Sequence, residues 1–173
     1  MRGAEFWRAV TVDRSNVLER FFETLRRHDV RFCLIGGQAL NAYVEPVVSL
    51  DLDVVVAADR LRELEAVLAR TFALERFPHS LNVSDKDSNL RIRIQLDPRY
   101  APFVDRATNR SVLGFDLPVA AVDDILHGKI WEAQDSTRRG SKRQKDLADI
   151  ARVLERCPEL RSSVPADILA RLV

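Results

Sequence analysis

The chain has 173 residues, of which 46% are hydrophobic and 31% charged, with a formal net charge of +1. A single domain of that length buries roughly two thirds of its unfolded surface, and no apolar run approaches the roughly 18 residues of a membrane span. The balanced charge excludes a globally basic nucleic-acid-binding surface. The opening MRGAEFWRAV lacks the apolar core of a secretory signal, so the expected compartment is the cytoplasm.

In chain order, Val17, Leu18, Phe21, Phe22 and Leu25 predict an amphipathic helix over residues 14–28, capped by Asp13 or Ser15. VRFCLIGG reads as a buried strand ending in glycines, QALNAYV as a short helix broken at Glu45-Pro46, and LDLDVVVA as a second strand. Residues 59–71 predict an amphipathic helix with Asp59 as its cap. LNVS and LRIRIQLD form a predicted hairpin around DKDSN, and SVLG with FDLPVA a further extended pair. Two helices close the chain, AAVDDILHGKIWEAQD and SKRQKDLADIARVLERC; Ser141 and Gln144 have the spacing of a capping box at the start of the second. Cys33 and Cys157 have no CxxC spacing and no nearby histidine, which argues against zinc. His28, His79 and His127 pair with no nucleophile and read as surface or structural residues.

The segment IGGQALNAYVEPVVSLDLD carries the chemistry. In a strand, Asp51 and Asp53 point to one face, where two carboxylates repel unless a cation lies between them. Mg²⁺ suits such a pair, because it takes a few carboxylates together with phosphate oxygens and water. A strand ending in Gly36-Gly37 lets backbone N–H groups approach an anion closely. The segment is neither a Walker A loop nor GxGxxG. Taken singly, the glycines also fit a plain tight turn and the acids a solvated strand entrance.

GG, thirteen residues, then DxD at the head of an apolar strand resembles the signature of the DNA polymerase β-like nucleotidyltransferase superfamily. Ser49 extends it to S-L-D-L-D, similar to the form in AbiEii-type and MenT-like toxin nucleotidyltransferases. The resemblance implies that Gly36 and Gly37 hold a triphosphate, that Ser49 contacts phosphate, and that Asp51 and Asp53 bind metal ions. It also implies a third acid on a later strand. In RIRIQLDP, Arg91, Arg93, Gln95 and Asp97 share a face; Asp97 is the candidate and Gln95 competes for the place. HGKIWEAQD and SKRQKDLADI are similar to paired motifs of the same toxin-like branch, which puts Lys129 and Asp146 in the site. The basic cluster of Arg138, Arg139, Lys142, Arg143 and Lys145 reads equally as a phosphate ligand, through Arg138 and Arg143, and as a solvated helix start.

Over roughly residues 30–150 the resemblance implies an α+β (mixed α/β) fold of nucleotidyltransferase type, a small mixed sheet flanked by helices. The expected organisation is one domain over 1–173, with a mixed-sheet core in 1–118 and a helical portion in 119–173. Two Mg²⁺ ions, or Mn²⁺ in their place, would be held by Asp51, Asp53 and Asp97, with an NTP as substrate. The implied acceptor is a hydroxyl of RNA such as tRNA, of protein or of a small molecule. The implied setting is a toxin countered by an antitoxin, with no membrane and no DNA sequence readout. The alternative is a catalytically inactive nucleotide- or RNA-binding module of a two-component complex.

Overall fold

The computed structural model describes residues 16–172. Seven strands form one mixed sheet in the order β3-β4-β5-β2-β1-β7-β6, flanked by helices. They are β1 (Phe32–Ile35), β2 (Asp51–Val56), β3 (Ala73–Phe77), β4 (Ser80–Ser84), β5 (Arg91–Gln95), β6 (Thr108–Val112) and β7 (Phe115–Val119). The helices are α1 (Val17–Arg27), α2 (Gly36–Leu40), α3 (Leu61–Leu68), α4 (Phe103–Arg106), α5 (Val122–Gln134), α6 (Gly140–Arg156) and α7 (Ala166–Leu169). Among the described residues no helix is long and apolar enough to cross a membrane.

The centre of the sheet follows from its most apolar segments. FCLI of β1 is buried throughout, and β2 is buried from Leu52 onward. β2 lies between β1, antiparallel, and β5, parallel; β1 also runs parallel to β7. Strands with neighbours on both edges and helices on both faces read as continuous hydrophobic runs, which LDLDVVVA becomes once the aspartates end.

Cross-strand partners share a face. Leu34 pairs with Val54 and Phe32 with Val56, and on that face α1 stacks Phe22 on Phe32 at 5.6 Å between ring centroids. On the other face, Asp51 and Asp53 pair with Arg91 and Arg93, and α5 lies above them. The register thus gives one face of β2 to the core and the other to a polar layer under α5.

The expected hairpin of β4 and β5 is present, with Ser80 opposite Gln95 and Leu81 opposite Ile94, as is the pair β6–β7. β3 is a strand without a counterpart in the pattern reading. It is an edge strand whose side chains are mostly exposed, so ALERF shows no alternation. The caps differ as well. Asn16, at φ 51°, precedes α1, and the expected caps Asp13 and Ser15 lie outside the described residues. Asp59 lies in a 3₁₀ turn before α3, which Arg60 caps without a side-chain bond. α6 starts one residue earlier than Ser141, with Arg139 at its N-cap and no side-chain cap, so the capping box does not form.

Candidate functional site

Gly36 closes β1 at φ +69°, a conformation that an L side chain adopts only under strain. A Cβ there would fall 2.4 Å from Asp53 Oδ2, so the turn and the carboxylate occupy adjoining space that only glycine leaves open. Gly37 is less constrained: its Cβ would make an ordinary contact of 3.9 Å with Ser49. The loop to β2 is folded back by side chains. Buried Gln38 donates Nε2–H to the Ser49 carbonyl at 2.8 Å, and Asn41 clamps Val47 with bonds to its carbonyl and from its N–H. Ser49 Oγ accepts the Asp51 N–H at 3.3 Å. Gly36, Gly37, Ser49, Asp51 and Asp53 are therefore brought to one place.

Each aspartate already has a cation. Arg91 Nε donates to Asp51 Oδ1 and Arg93 Nε to Asp53 Oδ1, both at 2.7 Å. Asp51 Oδ2 also lies 3.8 Å from Lys142 Nζ, from the first turn of α6. Arg93 bridges the sheet to α5, since its Nη2 lies 3.6 Å from Glu132 Oε1. The Asp53 charge beside it holds the Arg93 guanidinium more firmly protonated than usual.

From Glu132 an ion-pair network runs into α6. Lys129 Nζ lies 3.0 Å from Asp146 Oδ1, 2.9 Å from Asp149 Oδ2 and 3.6 Å from Glu132 Oε2. Arg138 Nε donates to Asp146 Oδ2 at 2.7 Å and its Nη2 lies 3.4 Å from Glu132. Burial works against the charge on Lys129, but the three acids outweigh it and raise its pKa. Burial likewise lifts Glu132 above the ordinary carboxylate range, against the pull of Lys129 and Arg138. Asp146 moves the other way, because Lys129 and Arg138 overcome its desolvation. Arg143 keeps a buried Nε without a hydrogen-bond acceptor.

Two spaces share Tyr100 and Glu132 in their walls. A narrow crevice is lined by Gly36, Asp53, Gly128, Lys129 and Glu132. A cavity of about 540 Å³ opens beyond, lined by Arg93, Gln95, Asp97, Trp131, Glu132 and Arg138 among others. That volume lies in the range of small-molecule sites.

Asp97 is not brought to the acid pair. It caps the 3₁₀ turn Pro98–Tyr100 by accepting the Arg99 N–H, and it holds the Arg99 guanidinium at 2.7–3.2 Å. It also lies four residues past the level of Asp53 on β5, roughly 13 Å along a strand. Arg99 keeps its carboxyl well below the usual range. Gln95, opposite Val55, turns its Oε1 back to the N–H groups of Leu96 and Asp97. The strand therefore offers Arg91, Arg93 and Gln95 on the acid face, with no third carboxylate. Glu132 is the residue that sequence reasoning missed. Its signal was its position three residues after Lys129 on one helical face, in reach of the same partners.

The sequence profile of the family described as "Nucleotidyl transferase AbiEii toxin, Type IV TA system" matches residues 20–172. No curated protein matches the chain in sequence. Among solved structures, ANT(2″)-Ia in complex with adenylyl-2″-tobramycin is similar with a TM-score of 0.64 at 12% identity, covering 91% of this chain and 97% of that one. The lincosamide antibiotic adenylyltransferase LnuA, lincomycin-bound, gives 0.51 at 11% identity over 82% and 98% of the two chains. An antigenic nucleotidyltransferase-like protein from Paracoccidioides brasiliensis gives 0.51 at 17% identity over 86% and 75%. At these identities the structural likeness shows a shared fold.

Proposed function

The chain belongs to the AbiEii nucleotidyltransferase toxin family, and from that membership we propose Mg²⁺-dependent transfer of a nucleoside monophosphate from an NTP to a hydroxyl of an RNA or protein acceptor, as the toxin of a toxin–antitoxin pair. That the enzyme transfers nucleotides follows from the family; the metal, the acceptor and the toxin role are the proposal. One observation carries it. The Gly36 turn and the Asp51–Asp53 pair are packed so closely that a single methyl group at Gly36 would strike Asp53.

In this reading the backbone of Gly36 and Gly37 admits the triphosphate, with Ser49 beside it. Lys142 stands 3.8 Å from Asp51, where a cation attracts phosphate oxygens. Arg143, at the same end of α6, would add a second positive charge there. The oxygens of Asp51 and Asp53 not held by arginine would hold a divalent cation, which when bound neutralises charge on the phosphates. Lys129 is too enclosed by acids to reach phosphate directly. It fixes Glu132 and Asp146, so its role is positioning. Arg138, also held by Asp146 and Glu132, presents its remaining N–H groups to the cavity. Glu132 lines both the crevice beside Asp53 and the open cavity, which supports reading it as the carboxylate that would take the proton of an entering hydroxyl.

The second reading, a nucleotide- or RNA-binding module without catalysis, is favoured by one feature, the absence of a third acid on β5. Cell extract incubated with Mg²⁺ and each α-³²P-labelled NTP separates the two. We expect label in RNA or protein with wild-type enzyme and a loss of at least about 100-fold with Asp51→Asn, the scale of removing one transition-state charge contact. Unchanged labelling by Asp51→Asn would sink the proposal, and nucleotide binding without label transfer would favour the module.

A further inference from the structure

The three positions on β5 that share the face of Asp51 and Asp53 are 91, 93 and 95, occupied by Arg, Arg and Gln. Among the described residues no group of three or more His, Cys, Asp or Glu is arranged to hold a metal. One oxygen of each aspartate is already taken by a guanidinium Nε at 2.7 Å. Of the other two, Asp53 Oδ2 faces the Gly36 turn and Asp51 Oδ2 faces Lys142. Mg²⁺ requires six oxygens in near-octahedral array and carries two charges. Two free carboxylate oxygens, with phosphate and water completing the shell, suit one such ion. A second would share those ligands beside Arg91, Arg93 and Lys142, since the further carboxylate beside Asp53, that of Glu132, is already engaged by Arg93, Lys129 and Arg138. The donor set therefore does not fit a two-ion centre.

We infer that this site works with one divalent cation, carried in with the nucleotide, and that Arg93 supplies the fixed positive charge that a second ion would otherwise bring. The inference rests on the nucleotidyltransferase reading of the same site. Arg93 rather than Arg91 has this role because of how each is held. Arg91 has a side chain 66% exposed and is tied by one bond, whereas Arg93 is 31% exposed. Arg93 is gripped from both sides, by Asp53 on β2 and Glu132 on α5, and it also lines the open cavity. A guanidinium fixed this way is preorganised to meet charge developing on phosphate oxygens, and it offers planar N–H donors that a bare cation lacks.

The test counts ions on the full-length chain. Each of the four α,β-methylene nucleoside triphosphates is supplied in turn, and Mn²⁺ is titrated by equilibrium dialysis with the bound ion read by electron paramagnetic resonance. We expect one Mn²⁺ per chain at saturation, retained only with nucleotide, and no spin-coupled signal of the kind given by ions about 3.5–4 Å apart. Two Mn²⁺ per wild-type chain, with a coupled signal, would overturn the inference and leave the nucleotidyltransferase reading standing. No Mn²⁺ retained with any of the four analogues would overturn both. Arg93→Gln is expected to weaken binding of the analogue with Mn²⁺ about tenfold or more, the scale of a charge-assisted hydrogen bond, against less than about twofold for Arg91→Gln. Equal affinities of Arg93→Gln and wild type would overturn the assignment to Arg93. Because the ion count is made on wild-type protein, a folding defect in a variant leaves the main test intact.

Discussion

A single methyl group is the sharpest probe of the site. Gly36→Ala places a Cβ 2.4 Å from Asp53 Oδ2 and forces alanine to φ +69°, which alone costs about 1–2 kcal/mol. We expect loss of labelling activity together with a lowered denaturation midpoint, while Gly37→Ala, with 3.9 Å to its nearest neighbour, keeps wild-type stability. Equal behaviour of the two variants would show that the turn and the acid are not coupled. Glu132 gives a pH signature. It faces Lys129 on its own helix, Arg93 on β5, Arg138 from the loop before α6, Asp146 on α6 and the charge of Asp53 on β2. Desolvation prevails and raises its pKa in the folded state. An acid with a raised folded pKa keeps its proton longer when folded. That contribution to stability is complete at low pH and fades as pH climbs above the unfolded value of about 4.3. Glu132→Gln, a mimic of the protonated form, should therefore gain on wild type between pH 4 and pH 7 in paired denaturant titrations. A difference that moves in wild type's favour over that interval would refute the assignment. The acid pair and the glycines were legible in the sequence because strand alternation and a stretch of only 18 residues, Gly36 to Asp53, bring them together. Glu132 was not, since its meaning depends on α5 lying over Arg93, a contact between residues 39 positions apart.

Elements were readable where burial imposes a period and obscure where it does not. β1, β2, β4 and β5 bury apolar side chains in runs or alternation, and their pairing follows the hairpin and strand signals. β3 has one partner and faces solvent, so its backbone pairing with β4 determines it rather than side-chain pattern. The ladder also decides the matter of the third acid. Parallel pairing of β2 with β5 sets Asp53 opposite Arg93, and a shift of one residue would turn every β5 side chain to the wrong face. Local motifs proved weaker than this register. Ser141 and Gln144 have capping-box spacing, yet α6 begins at Gly140 behind Arg139. Ser141, one residue inside and exposed, satisfies none of the first N–H groups. Ser141→Ala should thus change unfolding free energy by less than about 0.5 kcal/mol, where loss of a true N-cap costs about 1 kcal/mol. Urea denaturation of the two proteins resolves that difference, and a loss near 1 kcal/mol would mean that the helix starts two residues later in solution, with Ser141 as its N-cap.

At the scale of the whole molecule, the site draws on every layer: the β1–α2 turn, neighbouring β2 and β5, α5 above them, and the first turn of α6 through Lys142. A ligand that bridges these parts binds the folded chain and has little affinity for the unfolded one, so its binding free energy adds to stability. At 100 times its dissociation constant such a ligand contributes about 2.7 kcal/mol. For a chain of this size each kcal/mol moves the melting temperature by about 2–4 °C, giving a rise of roughly 5–10 °C with saturating NTP and Mg²⁺. Asp51→Asn should abolish the rise while melting close to wild type without ligand. The reason is that Asp51 and Arg91 form a largely exposed pair, worth no more than about 1 kcal/mol. That combination separates the candidate site from an NTP-binding surface elsewhere. A shift of equal size in Asp51→Asn would place the nucleotide away from the acid pair. No shift with any of the four NTPs in the wild-type protein would leave an RNA or protein surface as the ligand that this fold is built to recognise.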